Sequence, residues 1–348
     1  MSDPFDAVFT QPDMRTALLE QFQIGPRFLD AYLDYFCNAQ HVVLSKPGDF
    51  HALSPTQKMW LHYALSTNLR GRDIIAVLER YGTVRGARYL DVGCGFGGSI
   101  VAAANAGANC VGLELDPERV AFSRRNVADL GLTERVAVLC QDVLDHEAIR
   151  NLGRFELATC NDVAEHVEDV PRLFQHLASV LVSGGMIYLE VPNRYSIDSV
   201  RSDGHFGLFG ITLLDREEAR KYHWQRFHYQ YDVGHYLSLE DYTDLFWSFG
   251  FKPELIASLY HPAADLLAVD EKLRALSEAW EGFQAIPSLD PTTYELVSQA
   301  YLAYLTQLVQ GLARLRQNPT PSEEVRFCNK YLRDFWTFVA IRQAAGDR

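Results

Sequence analysis

Between residues 86 and 196, short apolar and β-branched runs alternate with segments whose apolar positions recur at helical spacing. The runs are "RYLDVG", "CVGLEL", "RVAVLCQD", "FELATC" and "MIYLEVPN". Each is too short for a helix and apolar enough for a strand covered on both faces. Between the first two, "GSIVAAANAGA" predicts a helix of small residues able to press closely on a sheet. The next, "LDPERVAFSRRNVADLG", has Asp116 as N-cap, Pro117 at the first helical position and Gly131 as the stop. "VPRLFQHLASVLVSGG" predicts a further helix, opened at Pro171 and stopped by Gly184 and Gly185. Alternation of this kind predicts an α/β fold with a parallel sheet and helices on both faces.

The pattern breaks after Asn193, where residues 194–236 are rich in aromatic, Gly and His residues, and then resumes. "LSLEDYTDLFWSFGF" opens with Ser238 and Asp241 in an N-cap arrangement, "FKPELIASLY" predicts a sixth strand and "DFWTFVAIRQ" a last one. The chain thus divides into a helical N-terminal cap (1–85), a Rossmann-like domain (86–260) with an insert at 194–236, a helical insertion (261–326), and the last strand with the C-terminus (327–348). The expected architecture is a seven-stranded, mostly parallel sheet with helices on both faces. The segment "YELVSQAYLAYLTQLVQGLARL" is amphipathic and is placed to supply a homodimer surface.

Composition narrows the class. The chain has 348 residues, a formal net charge of -13 and 22% charged residues. That balance argues against a nucleic-acid partner, since binding to phosphate backbones needs clustered Lys and Arg. No apolar run reaches the length of a membrane span, and "MSDPFDAVFTQ" lacks the basic and apolar regions of a secretory signal, so a cytoplasmic protein without a membrane partner is expected. Six scattered cysteines, Cys37, Cys94, Cys110, Cys140, Cys160 and Cys328, lack C-x-x-C spacing and read as reduced, mostly buried residues.

The candidate chemistry centres on "YLDVGCGFGGS". Gly93, Gly95 and Gly98 fit G-x-G-x-x-G, the dinucleotide pattern, whereas Asp91, Gly93, Gly95 and Gly97 fit D-x-G-x-G-x-G. Either places a nucleotide-like ligand at the carboxyl end of the first strand. A dinucleotide would set its pyrophosphate on the helix N-terminus, which the Asp91 carboxylate would repel, whereas the ammonium and sulfonium of S-adenosylmethionine would suit it. Glu114, ending the second strand, can accept from ribose hydroxyls of either cofactor and does not discriminate. Asp142, ending the third, can accept from an adenine amino group or cap a helix.

Taken together, "LDVGCGFGG", "GLELDPERV", "QDV", "NDVAEHVED" and "LVSGGMIYLEVPN" resemble the class I S-adenosylmethionine-dependent methyltransferases in order and spacing. The resemblance extends through "GHYLSLEDYTDLFWSFGF". It implies S-adenosylmethionine as cofactor and a cofactor-binding set of Asp91, Gly93, Cys94, Gly95, Gly97, Glu114, Leu115, Gln141, Asp142, Val143 and Asn161. Within that set, Asp91 and Gly93 to Gly97 line the methionyl and ribose part. Glu114 takes the ribose hydroxyls, Asp142 faces the adenine amino group with Val143 near the ring, and Asn161 lies near the sulfur. Asp162, Glu165 and His166 also resemble the E-x-x-E-H pattern of the ubiquinone-biosynthesis O-methyltransferases, associated there with a divalent cation, with Asp replacing the first Glu.

Methyl transfer needs a positioned acceptor, and a base only if the nucleophile starts protonated. His166, beside the strand ends, together with His205 and His235 from the insert, are the candidate catalytic residues; His223 and His228 are further histidines of the insert. Gly204, Gly207 and Gly210, interleaved with His205, Phe206 and Phe209, suit either a ligand-facing turn or a packed loop. Residues 219–231 carry Arg220, Lys221 and Arg226 among aromatic residues without an acid, a mix that can hold an anionic or sugar-like acceptor but is more often an amphipathic helix with solvated charges and a buried aromatic face. The expected activity is methylation of a small molecule, at a hydroxyl oxygen first and at nitrogen or carbon otherwise. An NAD-dependent oxidoreductase and a non-catalytic scaffold of the same fold are the rival readings.

Overall fold

In the computed structural model, which describes residues 8–9, 11, 13–256, 262–286 and 289–344, the apolar runs are strands. They are β1 (Arg88–Val92), β2 (Asn109–Glu114), β3 (Val136–Cys140), β4 (Phe155–Asn161), β5 (Leu181–Pro192), β6 (Phe251–Leu255) and β7 (Phe335–Arg342). They form a 7-stranded sheet in the order β3-β2-β1-β4-β5-β7-β6. β1 is parallel to β2 and to β4, and β2 to β3. β7 runs against β5: the Asn193 N–H donates to the Asp334 carbonyl, while the Thr337 hydroxyl donates to the Glu190 carboxylate. The strand order reverses between β1 and β4, and in open sheets such a reversal opens a ligand crevice at the carboxyl ends.

The chain separates into two compact units. The first holds residues 1–160, 175–188 and 341–348; the second holds 161–174 and 189–340. In the first unit, the helices Pro26–Gln40 and Pro55–Leu65 close an aromatic core of Phe22, Phe28, Tyr32, Phe36 and Phe50, joined by Phe122 from the helix Pro117–Asp129. That last helix starts as expected, with the Asp116 carboxylate accepting from the Glu118 N–H and Pro117 at its first position. In the second unit, Phe209, Tyr222, Phe283 and Tyr301 belong to another buried core, to which the helices Arg216–Phe227, Val269–Gln284 and Pro291–Gln317 contribute.

Three boundaries differ from expectation. The helix from Val170 ends at Val180, and β5 starts at Leu181 and runs through Gly184 and Gly185. A Cβ on Gly185 would lie 2.9 Å from the Val182 carbonyl oxygen and 3.2 Å from that of Glu156, so this glycine serves close backbone approach within the sheet rather than a helix stop. The helix Pro321–Tyr331 carries helical structure past Arg326 into the segment expected to be strand and terminus. β6 ends at Leu255, and the remaining residues expected in that strand, 257–260, lie outside the described residues.

The insert 194–236 contains the helices Ile197–Arg201 and Arg216–Phe227, the second of which buries Ala219, Tyr222 and His223. No disulfide joins the six cysteines, and Cys140 is exposed. No helix among the described residues is long and apolar enough to cross a membrane.

Candidate active site

The first unit holds the glycine loop. β1 delivers Asp91 to its carboxyl end, where the side chain is 3% exposed. The Thr159 hydroxyl on β4 donates to Asp91 Oδ1 at 2.6 Å, and Tyr89 lies 2.7 Å from the same hydroxyl oxygen. Since Thr159 gives its proton to the carboxylate, Tyr89 must donate to Thr159. Burial pushes the Asp91 carboxyl up to about 7; the Thr159 hydrogen bond works in the opposite direction, and the nearby Glu114 reinforces the rise. A carboxyl so placed gains from a cation beside it, which the ammonium of S-adenosylmethionine would supply.

The loop that follows is built by glycine. Gly93, Gly95 and Gly97 have φ of 68°, 50° and 84°, the left-handed region that side chains avoid. Cys94 contributes packing: its thiol is buried close to Gly112, and burial pushes its ionisation well up. Glu114 binds the loop, accepting from the Gly95 N–H at 2.9 Å through Oε2 and from the Leu115 and Asp116 N–H groups at 2.8 and 3.0 Å through Oε1. A carboxylate has about four acceptor positions, so as placed Glu114 keeps roughly one, on Oε2, for a ribose hydroxyl. A grip on both hydroxyls would displace one of these N–H groups.

Leu115 is 66% exposed beside Glu114, an apolar surface available to a ring. Gln141 donates from its backbone to the Glu114 carbonyl and from its side chain to Asp145. Asp142 is exposed and accepts from the Leu144 N–H at 2.8 Å, closing a turn, while Asp145 caps the next helix. Val143 offers its carbonyl to His176 Nδ1 at 2.7 Å.

The second unit begins at Asn161, the end of β4, whose side-chain oxygen is buried without a hydrogen-bond partner and whose amide donates to Asp162. Asp162 has φ of 53°, unusual for a residue with a Cβ, and turns the chain into the short 3₁₀ segment Ala164–His166. The three residues that resemble a cation-associated pattern in sequence are not the ones that the structure brings together. The side chains that converge are Glu165, His166 and His205, whose ligand-type atoms lie within 4.8 Å of one another; Asp162 is not in the group. Asp162, in the left-handed region, stands outside the short helical turn that carries Glu165 and His166.

Glu165 is 1% exposed, both carboxylate oxygens lack a hydrogen bond, and burial next to Asp162 raises its ionisation well above the carboxylate range. Its backbone carbonyl receives the N–H groups of Gly234 and His235 at 2.5 and 3.1 Å. A Cβ on Gly234 would lie 2.7 Å from the Val167 carbonyl oxygen, so the glycine lets the two segments meet. His235 therefore joins the cluster through its backbone. Its ring is made less basic, first by burial and then by Arg216.

The remaining hydrogen bonds have a fixed direction. His166 Nδ1 lies 3.3 Å from the Asp232 carbonyl, which can only accept, so Nδ1 carries a proton and, in the neutral ring, Nε2 the lone pair. His205 Nε2, 3.2 Å from His166 Nε2, must then donate, which leaves His205 Nδ1 to accept from the Tyr236 hydroxyl at 2.8 Å. Burial, with His166 adding to it, lowers His205 to about 4, in keeping with a neutral ring. Asp203 shapes the turn under His205 by accepting the N–H groups of His205, Phe206 and Leu208, so Gly204 and Gly207 belong to a loop packed around that carboxylate. His223 is fully buried against Phe206, with ring centroids 4.3 Å apart, and belongs to the core.

Thr159, Tyr89, Asp203 and Tyr236 were not among the residues singled out from sequence. Thr159 was detectable as the polar residue in the carboxyl half of the run "FELATC"; the others carried no such signal.

A family model described as a methyltransferase domain matches residues 60–256, more than half of the chain. Among curated proteins, the ubiquinone biosynthesis O-methyltransferase of Cronobacter sakazakii is 30% identical over 118 residues, 34% of this chain and 47% of that protein. Its counterpart in Xanthomonas axonopodis pv. citri is 37% identical over 109 residues, 31% and 44% of the two chains. The chain spans about half the length of the curated relatives it matches. A solved S-adenosylmethionine dependent methyltransferase from Mesorhizobium loti is similar at 18% identity and a TM-score of 0.44, over 77% of this chain and 96% of that one. The matched residues take in the glycine loop, Glu114, Asp142 and the segment that bears Glu165 and His166, and the chain belongs to the methyltransferase-domain family, of the class I, S-adenosylmethionine-dependent type.

Proposed function

We propose that the protein methylates a hydroxyl oxygen of a small molecule and that His166 takes the hydroxyl proton. The observation that carries this is the chain of hydrogen bonds from Tyr236 through His205 to His166: the Tyr236 hydroxyl holds the lone pair on His205 Nδ1, and the lone pair between the two rings is that of His166 Nε2. At rest the His205 N–H occupies that lone pair. An acceptor hydroxyl that takes the place of His205 can give its proton to His166, whose other nitrogen stays on the Asp232 carbonyl. The buried Glu165 carboxyl, within 4.8 Å of both rings, offsets the resulting positive charge when it ionises.

On the cofactor side, Asp91 would meet the ammonium of S-adenosylmethionine, Glu114 a ribose hydroxyl, and Leu115 and Val143 the adenine ring. When bound, that cofactor supplies an activated methyl group and departs as a thioether. An amine acceptor would itself carry the attacking lone pair once neutral, so a directed proton acceptor favours oxygen. The names of the two curated relatives given above, both ubiquinone biosynthesis O-methyltransferases, support the same choice. The test is transfer of a labelled methyl group with matched phenol, alcohol and amine acceptors. Labelled ether is expected, with His166→Ala lowering kcat by roughly a hundredfold, the usual worth of a positioned base. Labelled amine as the main product, or an unaltered kcat in His166→Ala, would overturn the proposal.

A further inference from the structure

Away from the glycines and carboxylates of the cofactor loop, the first unit contains a cavity of about 300 Å³ between the helices Pro26–Gln40, Pro55–Leu65 and the start of Pro117–Asp129. Its walls are mostly aromatic, with Tyr32, Tyr35 and Phe122 on one side and Trp60 and Tyr63 on another, and Phe96 reaching in from the glycine loop. Tyr35 and Phe122 meet at 5.4 Å and 66°, and Tyr32 and Phe96 at 5.3 Å and 79°, so rings stand at steep angles as in the corner of a box. Tyr35, Trp60 and Tyr63 are 42%, 41% and 43% exposed, although solvated helix faces usually carry Lys and Glu instead. The charged lining is Asp116, Glu118 and Arg119. Arg119 lies 3.7 Å from the Asp116 carboxylate and largely cancels it, whereas Glu118 has no ion-pair partner among the described residues. The lining therefore combines these aromatic residues with a net formal charge of one negative unit, from Asp116, Glu118 and Arg119.

We infer that this cavity binds an organic ammonium ion, a quaternary or tertiary amine, held by the aromatic faces and balanced by Glu118. Rings present a negative face to a cation, and an alkylated ammonium sheds its water at little cost, so the attraction survives at a half-open site. One lining ring already holds a cation in this way: the Arg70 guanidinium sits 3.8 Å from the centre of the Tyr63 ring, which leaves the ligand to Tyr35, Trp60 and the other aromatic walls. The volume suits a ligand of choline size. The inference does not rest on the acceptor proposed above; because Phe96 lines the cavity and belongs to the glycine loop, a ligand here would touch the loop without occupying Asp91 or Glu114.

The experiment is titration calorimetry of the full chain with choline and with 3,3-dimethylbutan-1-ol, which has the same shape without the charge. Choline is expected to bind saturably, the neutral analogue at least about tenfold more weakly, and Trp60→Ala, Tyr35→Ala and Glu118→Gln each to weaken choline by about tenfold, in line with one cation–π contact or charge pair. These side chains are exposed, so the variants should fold, and S-adenosylhomocysteine binding checks that they have. Equal binding of the neutral analogue, no saturable choline binding to the unaltered chain, or full displacement of choline by S-adenosylhomocysteine would each overturn the inference, the last by making the cavity part of the cofactor site.

Discussion

Replacing Asp91 by Asn should make the empty protein more stable and the cofactor-binding protein worse, and the two effects have one cause. In the folded chain the Asp91 carboxyl sits at about 7 because it is buried, whereas in the unfolded chain it returns to about 3.9. The sign follows directly. Between those two values the folded state holds a proton that the unfolded state has lost, so stability falls as pH rises through this window and the loss is complete above about pH 7. At 1.36 kcal/mol per unit, the full cost approaches about 4 kcal/mol, and about 3 kcal/mol of it develops between about pH 5 and pH 8. An Asn side chain does not titrate, and its oxygen can still accept the Thr159 hydroxyl that now bonds Oδ1.

Urea unfolding of the cofactor-free protein at about pH 5 and pH 8 isolates this effect, because the fixed cost of burying the amide is the same at both and cancels in the comparison. The advantage of Asp91→Asn over the unaltered chain should grow by about 3 kcal/mol from the lower pH to the higher. The same change should weaken S-adenosylhomocysteine by roughly ten- to a hundredfold at about pH 8, the worth of a hydrogen bond to a charged group. Binding to the unaltered chain should weaken about tenfold per pH unit below about 7, as the carboxyl takes up its proton. An advantage that does not grow with pH refutes the burial argument. Unaltered affinity in the variant refutes the assignment of Asp91 to the ammonium.

Glu165→Gln should likewise stabilise the empty protein increasingly as pH rises above the ordinary carboxylate range, since burial raises this group and both its oxygens lack partners; thermal unfolding against pH checks it. Tyr236→Phe removes the donor to His205 Nδ1 and should lower kcat, with a changed pH profile and a smaller effect on KM, which separates positioning from binding. Gly71→Ala should cost about 2–3 kcal/mol or more, because its Cβ would fall 2.2 Å from the Gly98 carbonyl oxygen, a backbone atom with little freedom to move. In Gly82→Ala the new Cβ meets the tip of Met186, a flexible side chain, and denaturant midpoints should show a much smaller change there.

The order of elements from residue 88 to 192 was legible because each run encodes a local decision: "RYLDV" cannot bury its apolar residues except between neighbours, and Asp116 with Pro117 opens a helix wherever it stands. The start of β5 was not legible. In "LVSGG", apolar residues followed by two glycines fit a helix stop as well as a tight place in a sheet, and only the Glu156 carbonyl beside Gly185 distinguishes them. The histidine cluster shows the same limit. His166 and His205 were candidates from their composition and surroundings, but their joining depends on Asp162 adopting a left-handed conformation and on Gly234 admitting the Glu165 carbonyl. Neither event leaves a periodic trace.

The glycine loop shows why two fingerprints can share one stretch of chain. Gly93, Gly95 and Gly97 take φ values that disfavour a side chain, and these are the glycines of D-x-G-x-G-x-G. Gly98, which completes the rival pattern, is a glycine for another reason: a Cβ there would lie 2.0 Å from the Thr67 carbonyl oxygen, where the helix Thr67–Leu78 presses on Gly98–Asn105. One letter thus records two physical demands, a turn in the backbone and a close helix contact. The overlap of the two motifs follows from the N-terminal helices packing against the first helix of the core, and says nothing about a pyrophosphate. What a pyrophosphate would have to tolerate is the buried Asp91 carboxyl, whose nearest supports, Thr159 and Glu114, bring no positive charge to it. A cation is the ligand that improves that position, and S-adenosylmethionine carries one where the loop can reach it.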